Sequence, residues 1–349
     1  MNFFNLTINK KMSKNKNKDK KQELSKYLPK NLNIRDYELR QTIRKGCHSI
    51  IKLAKAVQSN KFFALKKIKK SEIISLNIKD RIRNGIIALS LCESNFIQKY
   101  QGFAIDDKFV YILTELITGG GLYPLLREEG RFPLPQAKTY AAEVVLILEH
   151  LHSRDIIYRD LRPENLLFDH KGFLKLVDFG FAKVLEGQTY TVCGLPEYLA
   201  PEILLNKGYG KEIDWWAFGC LLYEFLVGIS PFYEKDPILI FKRILKRDIK
   251  FPSNFPPSAK SLIKHCLELD IGNRYGGLNR GIAEIKQHRF FEGIDWNSLS
   301  KQKGKQIYIP NVENADDMKL LTFINYDEDD TSHTNTELDP FDDWIKKKE

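Results

Sequence analysis

The sequence predicts an α+β chain in which a small strand-rich part precedes a larger helical part. Three observations carry that prediction. Strand-like alternation is confined to the first third, helical apolar spacing dominates after Pro133, and Gly119-Gly120-Gly121 stands between the two as an expected flexible joint.

The elements follow in order. Residues 1–32 hold nine Lys and two acids, and the Asn/Lys run from Lys10 to Lys21 cannot bury a core. Residues 1–33 are therefore expected to be a solvated, disordered basic lead, and without interleaved aromatics no specific nucleic-acid partner is expected. Tyr37–Lys55 and Lys61–Ile68 read as short twisted strands, Phe109–Leu116 as a buried strand, and residues 71–91 as helical. Ala137–His152, Asp214–Val227, Pro237–Lys246 and Ser258–Leu269 repeat apolar residues at helical spacing. The expected organisation is a lead (1–33), a strand-rich lobe with its connection (34–120), a helical lobe (121–296) and a tail (297–349). Residues 312–349 carry twelve acids against four Lys, so the net charge of +10 is unevenly spread.

Composition excludes several classes. No stretch reaches the roughly 18 consecutive apolar residues of a membrane span, and Asn2 excludes N-myristoylation. Five cysteines at wide spacings, with no CxxC, argue against a zinc site or a disulfide framework and fit a reducing, cytoplasmic location.

The strongest pattern is Tyr158-Arg159-Asp160-Leu161-Arg162-Pro163-Glu164-Asn165. Asp178-Phe179-Gly180 follows thirteen residues after Asn165, and then Cys193-Gly194-Leu195-Pro196-Glu197-Tyr198-Leu199-Ala200-Pro201-Glu202. Phosphoryl transfer asks for little covalent chemistry, but it needs a carboxylate at the attacking hydroxyl and hard oxygen ligands on Mg²⁺ beside the phosphates. Asp160, Asn165 and Asp178 supply that set. Their ordered combination is far more specific than an isolated R-D or D-F-G.

With DWWAFG at 214–219, these segments resemble the AGC family of Ser/Thr protein kinases, and within it the cAMP- and cGMP-dependent kinases, from about Asp36 to Tyr326. The resemblance implies the bilobal eukaryotic protein-kinase fold with an AGC C-terminal tail. It also implies ATP-dependent transfer of the γ-phosphate to Ser/Thr of protein substrates, with ATP and Mg²⁺ as cofactors. Asp160 would orient the substrate hydroxyl, Lys66 would contact the α- and β-phosphates, Arg162 would stand for the lysine that steadies the transferring phosphate, and Asn165 and Asp178 would hold Mg²⁺. Further nucleotide contacts are implied for Ile43, Gly46, Ile51, Ala64 and Phe323, and for the peptide groups of Glu115 and Ile117. Thr191 matches the activating phosphothreonine, with Arg159 and Lys183 as its cations, Arg81 as a further candidate and Thr189 as a competitor. Val192, Pro196 and Leu199 match an apolar pocket for the residue after the phosphorylated one. Glu164 and Glu224 match acids that bind arginine two residues before it, which implies a basophilic preference. Glu202 with Arg274 would form a buried brace, Asp214 would anchor the catalytic loop, and Phe341-Asp342-Asp343-Trp344 would dock beside the regulatory helix.

The chain departs from the family at named positions. Ile43–Ile51 keeps only Gly46 of G-x-G-x-x-G, and side chains where glycine is usual are expected to cost on the order of 1 kcal/mol each and to weaken ATP binding. Gly85 stands for the helix glutamate, so Lys66 is expected to lack that partner, in a helix weakened by about 1 kcal/mol. Gly121 replaces a glutamate that reads arginine at minus three, with Asp327 as a possible compensation, and Leu195 replaces a hydrogen-bonding threonine. Two readings follow: a protein Ser/Thr kinase, or a weak or inactive pseudokinase that acts as a binding or scaffold module. No cyclic-nucleotide-binding pattern is legible, so control by such a nucleotide would need a separate regulatory subunit.

Overall fold

The structure, a computed structural model, describes residues 28–277, 281–304, 306–325 and 339–345. The basic lead as far as residue 27, and Tyr326 and Asp327, lie outside them. The chain divides into two compact units: the described parts of 1–90, 100–115 and 322–349, and those of 91–99 and 116–321. The observed class is α+β, as predicted.

The first unit is built on an antiparallel sheet of order β1-β2-β3-β5-β4, formed by β1 (Tyr37–Lys45), β2 (Ile50–Ala56), β3 (Phe62–Lys69), β4 (Tyr100–Ile105) and β5 (Phe109–Glu115). One face buries Ala54, Leu65, Ala104, Phe109, Tyr111 and Leu113, with Leu32, Ile34, Tyr37, Leu39 and Phe63 packed over them. The segment from Leu28 joins the edge of β4: Leu32 donates its N–H to the Phe103 carbonyl at 2.7 Å, and Phe103 donates back to Lys30 at 3.1 Å. Gly102 permits that approach, since a Cβ there would lie 2.5 Å from Leu32 Cδ1.

Between β1 and β2 the register slips. Thr42 faces Lys52 whereas Arg44 faces Ile51, so Ile43 is an extra, bulged residue. The loop closes with Gly46 donating its N–H to the Ser49 carbonyl at 2.8 Å. No residue from 43 to 49 has a positive φ. The expected backbone strain of side chains at the missing glycines is therefore corrected: this loop is a turn that Arg44 and Ser49 adopt freely.

The helix expected over 71–91 is two, α1 (Lys70–Ser75) and α2 (Lys79–Ser90). Asn77 breaks the run at φ +51°, a left-handed conformation that asparagine tolerates. Gly85 sits buried in an unbroken α2 beside Ile82, Ile86 and Leu89. The C-terminal motif docks on this pair as expected. Phe341 and Trp344 are fully buried edge to face. Asp339 pairs with Lys70, Asp343 pairs with Lys79 at 2.8 Å, and Leu28 donates its N–H to the Trp344 carbonyl at 3.1 Å. Upstream, Ile324 donates to the Thr42 carbonyl at 2.8 Å and so extends the β1 edge.

The second unit comprises α3 (Leu122–Glu129), α4 (Leu134–His152), the short strands β6 (Ile156–Ile157), β7 (Leu166–Phe168), β8 (Leu174–Leu176) and β9 (Lys183–Val184), then α5 (Pro201–Leu204), α6 (Glu212–Val227), α7 (Pro237–Lys246), α8 (Pro257–Cys266), α9 (Gly281–Gln287) and α10 (Trp296–Ser300). Helix α6 is apolar nearly all round and buried nearly throughout, as a helix enclosed by α4 and α8 must be. Gly219 allows α8 to approach, because a Cβ would lie 2.9 Å from both Cys266 Cβ and Leu267 Cγ. The glycine triplet is not a free joint. Gly119 donates to the Phe168 carbonyl at 2.9 Å, Phe168 donates to Gly120 at 2.8 Å, and a Cβ on Gly119 would lie 2.3 Å from the Asp169 carbonyl oxygen. These glycines serve close packing against β7. Among the described residues no helix is long and apolar enough to cross a membrane, and all five cysteines are free.

Candidate active site

The β6–β7 connection carries Asp160 and Asn165, and buried carboxylates hold its shape. Asp214, at the start of α6, accepts the N–H groups of Tyr158 and Arg159, both at 2.9 Å, and its other contact is His152 Nε2 at 2.8 Å. Asp214 thus anchors the loop as the sequence implied. Asn165 donates its side-chain amide to the Asp160 carbonyl at 2.9 Å and to Asp160 Oδ2 at 2.7 Å. That bond fixes the Asp160 carboxylate through the Asn165 NH2 group, and the Asn165 amide oxygen is an acceptor of the kind that ligates a cation. Tyr158 donates its hydroxyl to the carbonyls of Val177 (2.5 Å) and Asp178 (3.1 Å), tying the loop to the D-F-G segment. His152 was not singled out from sequence, and Tyr158 was read only as part of its motif; each acts through a backbone or carboxylate neighbour that spacing does not reveal.

Two residues here hold a left-handed backbone without being glycine, Arg159 at φ +68° and Asp178 at φ +55°. Such conformations persist only where surroundings impose them, and they gather at functional sites. Burial pushes the Asp160 carboxyl up to about 6, opposed by the Asn165 hydrogen bond and the Arg162 cation and assisted by nearby Asp178. Arg162 is itself engaged by Glu164 in a two-pronged contact at 2.9 and 2.8 Å. The donor set fits Mg²⁺: an amide oxygen and a carboxylate are hard ligands, and Mg²⁺ takes most of its shell from phosphates and water. Accordingly, among the described residues no cluster of three or more His, Cys, Asp or Glu is arranged for a metal.

The segment after Asp178 sorts the two threonines. Thr189 is buried, exchanges backbone hydrogen bonds with Tyr209 at 3.0 Å, and accepts from Lys183 Nζ at 3.5 Å. Thr191 is exposed; its carbonyl accepts the Tyr209 hydroxyl, which Arg159 approaches at 3.4 Å. Val192 is exposed and Leu199 buried. Leu199 and Leu195 line a shallow depression with Asp160 and Arg162. Glu224 is nearly buried, held by Arg127 and the Tyr198 hydroxyl, and burial raises its carboxyl pKa. Arg127 gives no signal in the sequence, because its role depends on α3 meeting α6. Deeper in the unit, Arg274 and Glu202 form the expected brace through paired contacts of 2.6 and 2.9 Å.

In the first unit, Lys66 on β3 lies between Ile51 of β2 and Ile112 of β5, and Ala64 lies between Leu53 and Thr114. Lys66 has an interaction partner, although Gly85 supplies no carboxylate at the position of the helix glutamate. Ile43 is the bulged residue of β1, Glu115 closes β5, and Phe323 precedes the Ile324 bridge to β1. Gly121, where the family's minus-three acid was expected, caps α3. A Cβ there would lie 2.9 Å from Pro124 Cδ, so the first turn of α3 leaves no room for a larger residue.

Residues 37–291 match the family described as "Protein kinase domain". The chain is 38% identical to cAMP-dependent protein kinase type 3 of Saccharomyces cerevisiae over 90% of its length and 79% of that protein. It is 37% identical to the cAMP-dependent protein kinase catalytic subunit PRKX of Mus musculus, over 86% of this chain and 84% of the relative. The catalytic subunit from Dictyostelium discoideum is 39% identical across 87% of this chain and 47% of its own length. With its catalytic loop, D-F-G segment and docked C-terminal motif, the chain belongs to the protein kinase family, in the AGC branch of the cAMP-dependent catalytic subunits.

Proposed function

We propose that this protein transfers the γ-phosphate of ATP to serine or threonine hydroxyls of protein substrates, with a preference for basic sequences. Kinases of this family use ATP with Mg²⁺. The observation that carries the reading is the fixed Asp160 carboxylate, held by Asn165 in a loop whose backbone Asp214 clamps. In this assignment Asp160 orients the attacking hydroxyl and Arg162 steadies the transferring phosphate, while Asn165 and Asp178 supply oxygen ligands to Mg²⁺. Lys66 contacts the α- and β-phosphates. Ile43, Gly46, Ile51, Ala64, Phe323 and the peptide groups of Glu115 and Ile117 receive the rest of the nucleotide.

Thr191 is the regulatory phosphorylation site, since it is the exposed threonine of the pair, with Arg159 and Lys183 as the cations a phosphate would order against. Val192, Pro196 and Leu199 take the residue after the acceptor, and Glu164 and Glu224 take an arginine before it. The relatives' names describe catalytic subunits of cAMP-dependent kinases, which supports a separate cyclic-nucleotide-binding regulatory subunit as partner.

Phosphate transfer from labelled ATP-Mg²⁺ to an arginine-containing serine peptide tests the reading, with Asp160→Ala and Asp178→Ala as controls. Loss of at least roughly 100-fold in both variants is expected. Gly85, at the position of the family's helix glutamate, favours the second reading, a scaffold without transfer. An intact, Thr191-phosphorylated protein no faster than Asp160→Ala would establish that reading instead.

A further inference from the structure

Resting on the kinase reading, we propose that Arg44 is a phosphate-binding residue of the nucleotide site, its guanidinium supplying the contact that glycine N–H groups supply elsewhere in the family. The first observation is register. Arg44 faces Ile51, Ile51 faces Lys66 and Lys66 faces Ile112, so the four form one row across four strands. Residues directly opposed across antiparallel strands share a face. Arg44 therefore projects from the face that carries Lys66. Simple alternation from Thr42 would have put it on the other face, because Thr42 belongs to the row of Lys52, Leu65 and Leu113. The bulge at Ile43 reverses it. Two strand spacings separate Arg44 from Lys66, about 10 Å between Cα atoms, and both side chains are long enough to converge on one triphosphate.

The second observation is what the loop backbone no longer offers. The one surviving glycine of the motif, Gly46, spends its N–H on the Ser49 carbonyl at 2.8 Å. His48, at the loop tip, lies 3.9 Å from Glu72 of α1. With that backbone donor engaged inside the turn, a side-chain cation adds to what the loop can offer a phosphate. Arginine suits the task, with five donors in a planar fork that matches phosphate oxygens two at a time. The negative φ of Arg44 lets the residue sit there without strain.

Lys45 provides an internal control. It carries the same charge one residue on, but it belongs to the row of Ile50, Lys67 and Tyr111, on the opposite face. The test measures binding of ATP, ADP and adenosine, with Mg²⁺, to the full chain and to Arg44→Gly, Arg44→Lys and Lys45→Ala, by calorimetry. Thermal unfolding checks that each variant is folded. The expected result is ATP affinity down about tenfold in Arg44→Gly, partly kept in Arg44→Lys, within twofold of the parent in Lys45→Ala, and adenosine unchanged throughout. Restoring the family's glycine is the decisive arm: if Arg44→Gly binds ATP as tightly as the parent or more so, or if Lys45→Ala loses as much, the assignment is wrong while the kinase reading stands. A parent protein that binds no ATP overturns both.

Discussion

Glu143 is the residue whose chemistry is least like that of its free side chain. It sits on α4 with no exposed surface; Oε2 accepts the Leu174 N–H at 2.8 Å and Oε1 has no hydrogen-bond partner. Burial pushes its carboxyl up to about 8, with Asp169 adding to the rise against the Leu174 bond. The native state thus keeps a proton that the unfolded chain gives up near 4.5. Stability contributed by that proton is fully present below pH 4.5, falls as pH rises to about 8, and is flat beyond. Glu143→Gln keeps the shape and removes the titration. It should flatten that part of the stability profile and exceed the parent by on the order of 3 kcal/mol at pH 8. Urea unfolding of both proteins from pH 5 to 9 checks this; parallel profiles would refute it. Arg274 is the opposite case, a buried charge with four of its five N–H donors answered by Glu202 and the carbonyls of Glu268 and Glu212.

At the scale of elements, the docked C-terminal segment is held by two ion pairs of different kinds. Lys70 is 2% exposed and reaches Asp339, whereas Lys79 is 31% exposed and its partner Asp343 is 56% exposed. Asp339 is itself 36% exposed, so water reaches both pairs, but it screens the second more than the first. Lys70→Ala should therefore cost about 2–4 kcal/mol and Lys79→Ala under about 1 kcal/mol, read by hydrogen exchange at Phe341 to Trp344. Equal losses would show that docking depends on the aromatic pair alone. What the sequence disclosed about elements follows the same division between local and distant causes. Helix α7 was legible because Asp236 caps it, Pro237 opens it, and Ile240 and Ile244 share a face. The break at Asn77 was not, since Leu76 and Ile78 prolong the apolar pattern. Strand β4 was hidden by Gln101-Gly102, a glycine required only because Leu32 crosses it. In the site, Asp160, Asn165 and Asp214 could be read because the chemistry constrains both residue type and order. The side to which Arg44 points could not, because one bulged residue decides it.

Across the whole molecule, the first unit gathers its strands and helices from three separated stretches of sequence, and the second unit occupies both intervals between them. No local reading of composition reveals which distant stretches meet. The Leu28–Trp344 hydrogen bond places the two ends of the described chain side by side. The described chain therefore ends beside the place where it starts. A circular permutant joining Ile345 to Leu28 through a short glycine-serine bridge, and opened between Gln58 and Ser59 in the exposed β2–β3 turn, should fold to the same structure and bind ATP with the parent's affinity. Its circular dichroism and nucleotide titration would show it. The practical consequence is that a tag or fusion partner at either end of 28–345 lands on the same patch, beside α1 and α2.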